Sequence, residues 1–163
     1  RRVPLLKALF IAAVWSLVTV GLPLALDEEG WSAGRAGWLF AMQFTFFLAL
    51  AIAFDLRDRV VDPRALRTLP QVIGPAFARA LAAALLLYPL SVFLLMAYLS
   101  HALDESELTP SFSWEDLFTA AGYLVVLVVI VRSKQHRGPL YHDLIMDGML
   151  VLVPLLWWLG TLI

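Results

Sequence analysis

Five apolar stretches dominate this sequence: Leu5 to Leu26, Trp38 to Phe54, Ala80 to Leu99, Trp114 to Val131 and Leu144 to Ile163. A helix of about 20 apolar residues crosses the hydrocarbon core of a bilayer, and each stretch meets or approaches that length. None alternates apolar and polar residues with period two, as the strands of a membrane barrel do. The sequence therefore predicts an all-α, polytopic transmembrane helical bundle of five spans, a single membrane domain over 1–163. Composition agrees, with 61% hydrophobic and 15% charged residues and a mean hydropathy of +0.83. A soluble domain carries about 45–50% apolar and about 25% charged residues.

The charges fall in alternating blocks. Arg1, Arg2 and Lys7 flank the first stretch, Arg57, Arg59, Arg64, Arg67 and Arg79 lie between the second and third, and Arg132, Lys134 and Arg137 precede the fifth. The intervening connectors hold Asp27, Glu28, Glu29 and Arg35, then Asp104, Glu105 and Glu107, with Glu115 and Asp116 opening the fourth stretch. By the positive-inside rule the basic connectors are expected on the cytoplasmic side and the C-terminus outside. Trp31, Trp38, Trp114, Trp157 and Trp158 suit interfacial belts. Pro23, Pro89 and Pro154 fall inside spans and are expected to kink them, above all at Tyr88-Pro89. Ser16, Thr19, Gln43, Thr45 and Thr119 are expected to hydrogen-bond between helices.

A net charge of −1 supplies no basic field for nucleic acid, and the lack of cysteine excludes disulfides, thiolate metal sites and thiol nucleophiles. His101, His136 and His142 lack zinc-ligand spacing, and no G-x-S-x-G, P-loop or Rossmann fingerprint occurs. The first apolar stretch is too long for a signal-peptide core. With no initiator methionine and Arg1-Arg2 directly before that stretch, the chain is expected to be a fragment.

The chemistry-bearing residues follow the second stretch, in Phe54-Asp55-Leu56-Arg57-Asp58-Arg59-Val60-Val61-Asp62-Pro63-Arg64 and then Arg67-Thr68-Leu69-Pro70. If the helix continues past the membrane boundary, Asp55, Asp58 and Asp62 share one face. Three stacked carboxylates repel, so a cation must neutralise them. Oxygen ligands with room for water suit Mg²⁺, and Arg64 and Arg67 offer planar forks for phosphate oxygens. The same spacing also fits a solvated helix end with an i,i+4 pair such as Asp55 with Arg59.

This stretch, with Gly74 after it, resembles the second aspartate-rich motif, D-x-x-x-D, of the UbiA-like intramembrane prenyltransferases. The resemblance implies the C-terminal five helices of a nine-helix fold, with an N-terminal half of the same protein as partner. It implies Asp58 and Asp62 as Mg²⁺ ligands with Asp55 one turn earlier, and a polyprenyl diphosphate and a lipophilic, often aromatic acceptor as substrates. The family's first motif, of N-D-x-x-D type, is absent from these residues, so the fragment alone is expected to be inactive. Position 67 is arginine where many relatives have lysine.

Asp143 and Asp147 begin the fifth stretch. Asp143 suits the positive end of a helix dipole, whereas Asp147, a turn deeper, either faces the same cavity as Asp58 and Asp62 or pairs with Arg132 or Lys134. Phe40, Phe44, Phe47, Tyr88 and Tyr123 are candidate linings for a prenyl cation, or ordinary packing. Two other readings remain: a non-catalytic relative of that family, and a small membrane transporter or assembly protein that uses Asp147.

Overall fold

The structure, a computed structural model, describes residues 4–26, 32–58, 68–102, 113–132 and 147–162. Among these residues every regular element is helical. They are α1 (Pro4–Ser16), a π-helical turn (Leu17–Gly21), α2 (Leu22–Leu26), α3 (Ala33–Asp58), α4 (Leu69–Ile73), α5 (Pro75–Ala102), α6 (Trp114–Arg132) and α7 (Asp147–Gly160). Four runs are long and apolar enough to cross a membrane: Leu6–Leu26, Ala36–Arg57, Pro75–Leu99 and Trp114–Arg132. The described residues are thus all-helical, with four candidate membrane-spanning helices, as suits a multi-pass membrane protein. The fifth stretch shows a shorter helix, α7, of 14 residues, or about 21 Å at 1.5 Å per residue, against about 30 Å of hydrocarbon.

Helix limits differ from those read in the sequence where charged residues flank the spans. The second span extends to Asp58 and the third begins at Pro75, so Arg79, expected in a connector, stands one turn inside α5. A proline at the first helical position lacks an N–H that would be unsatisfied there anyway, which makes Pro75 a natural start. Pro89 is buried within α5, which continues through it.

The chain divides into two compact units, Arg1–Leu86 and Leu87–Ile163. In the first, α1 packs along α3. Lys7 meets Asp55, and eight residues further along α1, Trp15 stacks on Phe47 with ring centroids 6.0 Å apart, eight residues back along α3. The two helices are therefore antiparallel, and the start of α1 shares an end of the unit with the finish of α3. Every residue of α3 from Phe46 to Ala53 is buried, so this helix is covered all round. Short α4 packs on both α3 and α1.

The π turn precedes Pro23, which can neither donate a backbone hydrogen bond nor fit beneath the carbonyl four residues earlier. The helix relieves that conflict by widening, and Leu22 N–H reaches back five residues to Leu17 O. Just upstream Ser16 Oγ donates to Ala12 O at 2.7 Å and Thr19 Oγ1 to Trp15 O at 2.8 Å. Thr45 and Thr119 likewise donate to Met42 O and Glu115 O. The expectation of bonds between helices is thus corrected for these four hydroxyls. A carbonyl one turn back lies within reach of Ser and Thr without any ordering of a second helix.

In the second unit α6 begins with a reciprocal cap. Ser113 N–H donates to Asp116 Oδ2 at 3.1 Å, and Asp116 N–H to Ser113 Oγ at 3.4 Å. Helix α6 packs along α7 in antiparallel sense, Gly122 opposite Val153 and Gly160 opposite Glu115. Small residues let membrane helices approach through their backbones. At Gly160 the approach leaves no room, because an added Cβ would lie 2.6 Å from Glu115 Cα. Gly160→Ala is expected to destabilise the protein by about 1–3 kcal/mol as the backbones are forced apart. Gly148→Ala, where a Cβ meets nothing within 4 Å, should be neutral or slightly stabilising. Denaturation midpoints of the two variants in micelles compare them directly.

Candidate functional site

The site is built at the end of α3. The helix runs unbroken through Asp55 to Asp58, which places these two residues three apart on its last turn. They stand at the negative end of the helix dipole, where carboxylates are disfavoured and cations favoured. Arg57 answers in part from the same turn, its guanidinium carbon 5.2 Å from the centroid of the Phe54 ring.

Asp55 is 3% exposed. Its Oδ1 accepts a hydrogen bond and ion pair from Lys7 Nζ at 2.9 Å, across 48 residues of sequence. Lys7 keeps 57% of its side chain exposed, so the pair joins a buried carboxylate to an ammonium that remains open to the surroundings. In the sequence Lys7 stands with the charges that flank the first stretch, and local spacing offers Asp55 only Arg59. A lysine inside an apolar run is itself the signal, because ionisable groups at membrane depth are expected to be paired.

Beyond the aspartates the chain returns at Thr68. Thr68, Leu69 and Pro70 are all buried where α4 meets α3 and α1. A capping box forms: Thr68 N–H donates to Gln71 Oε1 at 3.1 Å and the Thr68 side chain faces the Gln71 N–H, while Gln71 Nε2 is buried with no hydrogen-bond partner. Gly74, with φ of +85° and ψ of 151°, joins α4 to α5 in a conformation open essentially to glycine alone.

Asp62, Arg64, Arg67 and Asp143 lie outside the described residues, as does Arg59. Asp147 is exposed in the first turn of α7, at the favourable end of that helix's dipole. It belongs to the second unit and Asp55 and Asp58 to the first. Among the described residues no three His, Cys, Asp or Glu side chains gather into a metal-binding group. Of the aromatic candidates, Phe47 is buried against Trp15 and Phe46, and Tyr123 is buried with Phe93 at 5.8 Å. Phe40 and Phe44 stack on each other at 6.1 Å, and Tyr88 is exposed.

The fold defines a polytopic α-helical membrane protein with an ion-paired carboxylate at the end of one span. No known protein family, curated protein or solved structure matches the chain.

Proposed function

We propose that this chain is the carboxylate-bearing, C-terminal part of a Mg²⁺-dependent, UbiA-like membrane prenyltransferase, which moves a polyprenyl group from its diphosphate to a lipophilic acceptor. The observation that carries this reading is the helical continuation of α3 through Asp55 to Asp58. Two carboxylates on the last turn at the negative end of a dipole need cations. One is supplied by Lys7, at 2.9 Å from Asp55. An all-oxygen donor set fits a hard divalent ion better than a soft one, and Mg²⁺ accepts one or two carboxylates with water and phosphate oxygens completing its shell.

In this reading Asp58 and Asp62 hold the ion, and Asp55, fixed by Lys7, stands beside them. Mg²⁺ bound there would neutralise charge on the diphosphate as the allylic carbon–oxygen bond breaks. Arg64 and Arg67 hold phosphate oxygens with planar, permanently charged forks. The apolar helices exclude water and lodge the isoprenoid tail. The reading takes α7 with its flanking residues as a fifth span and places the basic connectors on the cytoplasmic side.

The test is pyrophosphate release from a polyprenyl diphosphate by the complete protein in liposomes. Release is expected with Mg²⁺ and not with EDTA. Absence of both release and Mg²⁺-dependent binding of the prenyl diphosphate would overturn the assignment. A second reading, a non-catalytic protein of the same architecture, draws on the Lys7–Asp55 pair, since a closed ion pair also serves as a structural anchor. It expects unchanged stability on Mg²⁺ addition and no binding of the diphosphate.

A further inference from the structure

The first span changes character at Val20. Up to that residue one side of it is buried, through Ala8, Ala12, Ser16 and Val20, and both α1 and the π turn pack on α3. From Gly21 to Leu26 no residue is buried, and Leu22 and Leu26 are 55% and 74% exposed. Helix α2 packs chiefly on the π turn that precedes it.

The join between the two parts is built to bend. Leu22 N–H reaches back five residues to Leu17 O, and Pro23 brings no N–H of its own. The Ser16 and Thr19 hydroxyls draw on the Ala12 and Trp15 carbonyls, a habit that bends helices. Proline and π turns are the commonest sites of sharp bends. Gly21 lies inside this stretch, and a Cβ added there would meet only Leu17 Cδ2, at 3.6 Å, an ordinary contact. Close packing therefore does not require glycine at position 21, and what glycine supplies is backbone freedom.

The register shows what a bend would uncover. Lys7 faces Asp55 and Trp15 faces Phe47, so each step forward along the first span is a step back along α3. Helix α2 thus comes level with Ala36–Phe40, where both end residues are half-buried. Lipid chains are as apolar as leucine, so moving Leu22 and Leu26 between α3 and lipid changes little in free energy. Two positions of α2 so closely matched are both populated.

We infer that Leu17–Gly21 is a hinge, about which α2 swings to shield or open the outer turns of α3, at Ala36 and Phe40, to lipid chains. Residues 27–31 tie the far end of α2 to α3, so the motion is a short swing and not a detachment. The inference stands apart from the prenyltransferase reading, because it invokes neither Mg²⁺ nor any aspartate.

The chain has no cysteine, so single cysteines carrying a trifluoromethyl probe report without background by fluorine NMR in lipid nanodiscs. Leu26→Cys is expected to give two exchanging resonances, and Phe10→Cys, exposed on α1, only one. Gly21→Ala in the Leu26→Cys background is expected to change the ratio of the two by about fivefold, the preference of a helix for alanine over glycine. Adding Pro23→Ala, which restores the missing N–H, should leave one resonance. A probe at Ala36→Cys should likewise show two resonances, of which nitroxide-bearing lipid broadens one far more than the other. A single sharp resonance at Leu26→Cys, or two whose ratio Gly21→Ala leaves unchanged, would overturn the hinge. Equal broadening of the Ala36→Cys resonances would overturn the shielding of α3.

Discussion

Replacing Asp58 or Asp62 by alanine in the complete protein is expected to lower prenyl transfer by about 10²–10³-fold or more, with membrane insertion and abundance unchanged. The size follows from what those carboxylates are proposed to do. Removing a group that stabilises charge developing on a leaving group costs about that much in other enzymes, and a metal ligand does so through the ion it holds. Asp58 closes α3, beyond the buried run from Phe46 to Ala53, so its loss should leave folding intact. Initial rates with a radiolabelled prenyl diphosphate, beside immunoblots of membrane fractions, separate activity from abundance. Undiminished turnover in both variants would remove the aspartates from the chemistry.

The ion pair between Lys7 and Asp55 carries the second large expectation. Lys7→Met leaves a carboxylate that is 3% exposed without its lysine, and breaking a buried pair from one side costs about 3–5 kcal/mol. Because Lys7 is more than half exposed, solvent screening reduces this to about 1–3 kcal/mol. The double variant Lys7→Met with Asp55→Leu should recover most of that loss, since a packed apolar pair often does as well as a buried ionic one. Denaturation of the four proteins of this cycle in mixed micelles measures the coupling. Equal stability of wild type and Lys7→Met would show that the pair does not fasten α1 to α3. Recovery of stability without recovery of prenyl transfer would assign Asp55 to the chemistry as well.

The four long spans were legible because hydropathy summed over some twenty residues is a coarse quantity that no single contact can reverse. The extension of α3 to Asp58 was legible only as a condition for its aspartates to share a face, because hydropathy alone closes the span at Phe54. What the sequence concealed was long-range. Spacing offers Asp55 a partner four residues away in Arg59, which lies outside the described residues; Lys7 meets it from another helix, 48 residues off, and nothing in local periodicity encodes that register. The hydroxyls illustrate the opposite error. Four serine and threonine side chains expected to bridge helices bond within their own, because the carbonyl one turn back is always present and a neighbouring helix is not. Arg79 looked like connector charge because its α5 turn contains few other polar residues and the apolar run seemed to start after it.

The wide turn at Leu17–Gly21 has a consequence for angular phase. On the face of the first span that packs against α3, the buried residues are Ala8, Ala12, Ser16 and Val20, spaced by four. A helix with 3.6 residues per turn carries a four-residue repeat about 40° further round at every step, so a regular helix would have swung this stripe away from its neighbour by Val20. A turn that closes after five residues instead of four rotates less per residue and brings the stripe back. The strain imposed by Pro23 is thereby converted into alignment, and one straight seam runs from Ala8 to Val20.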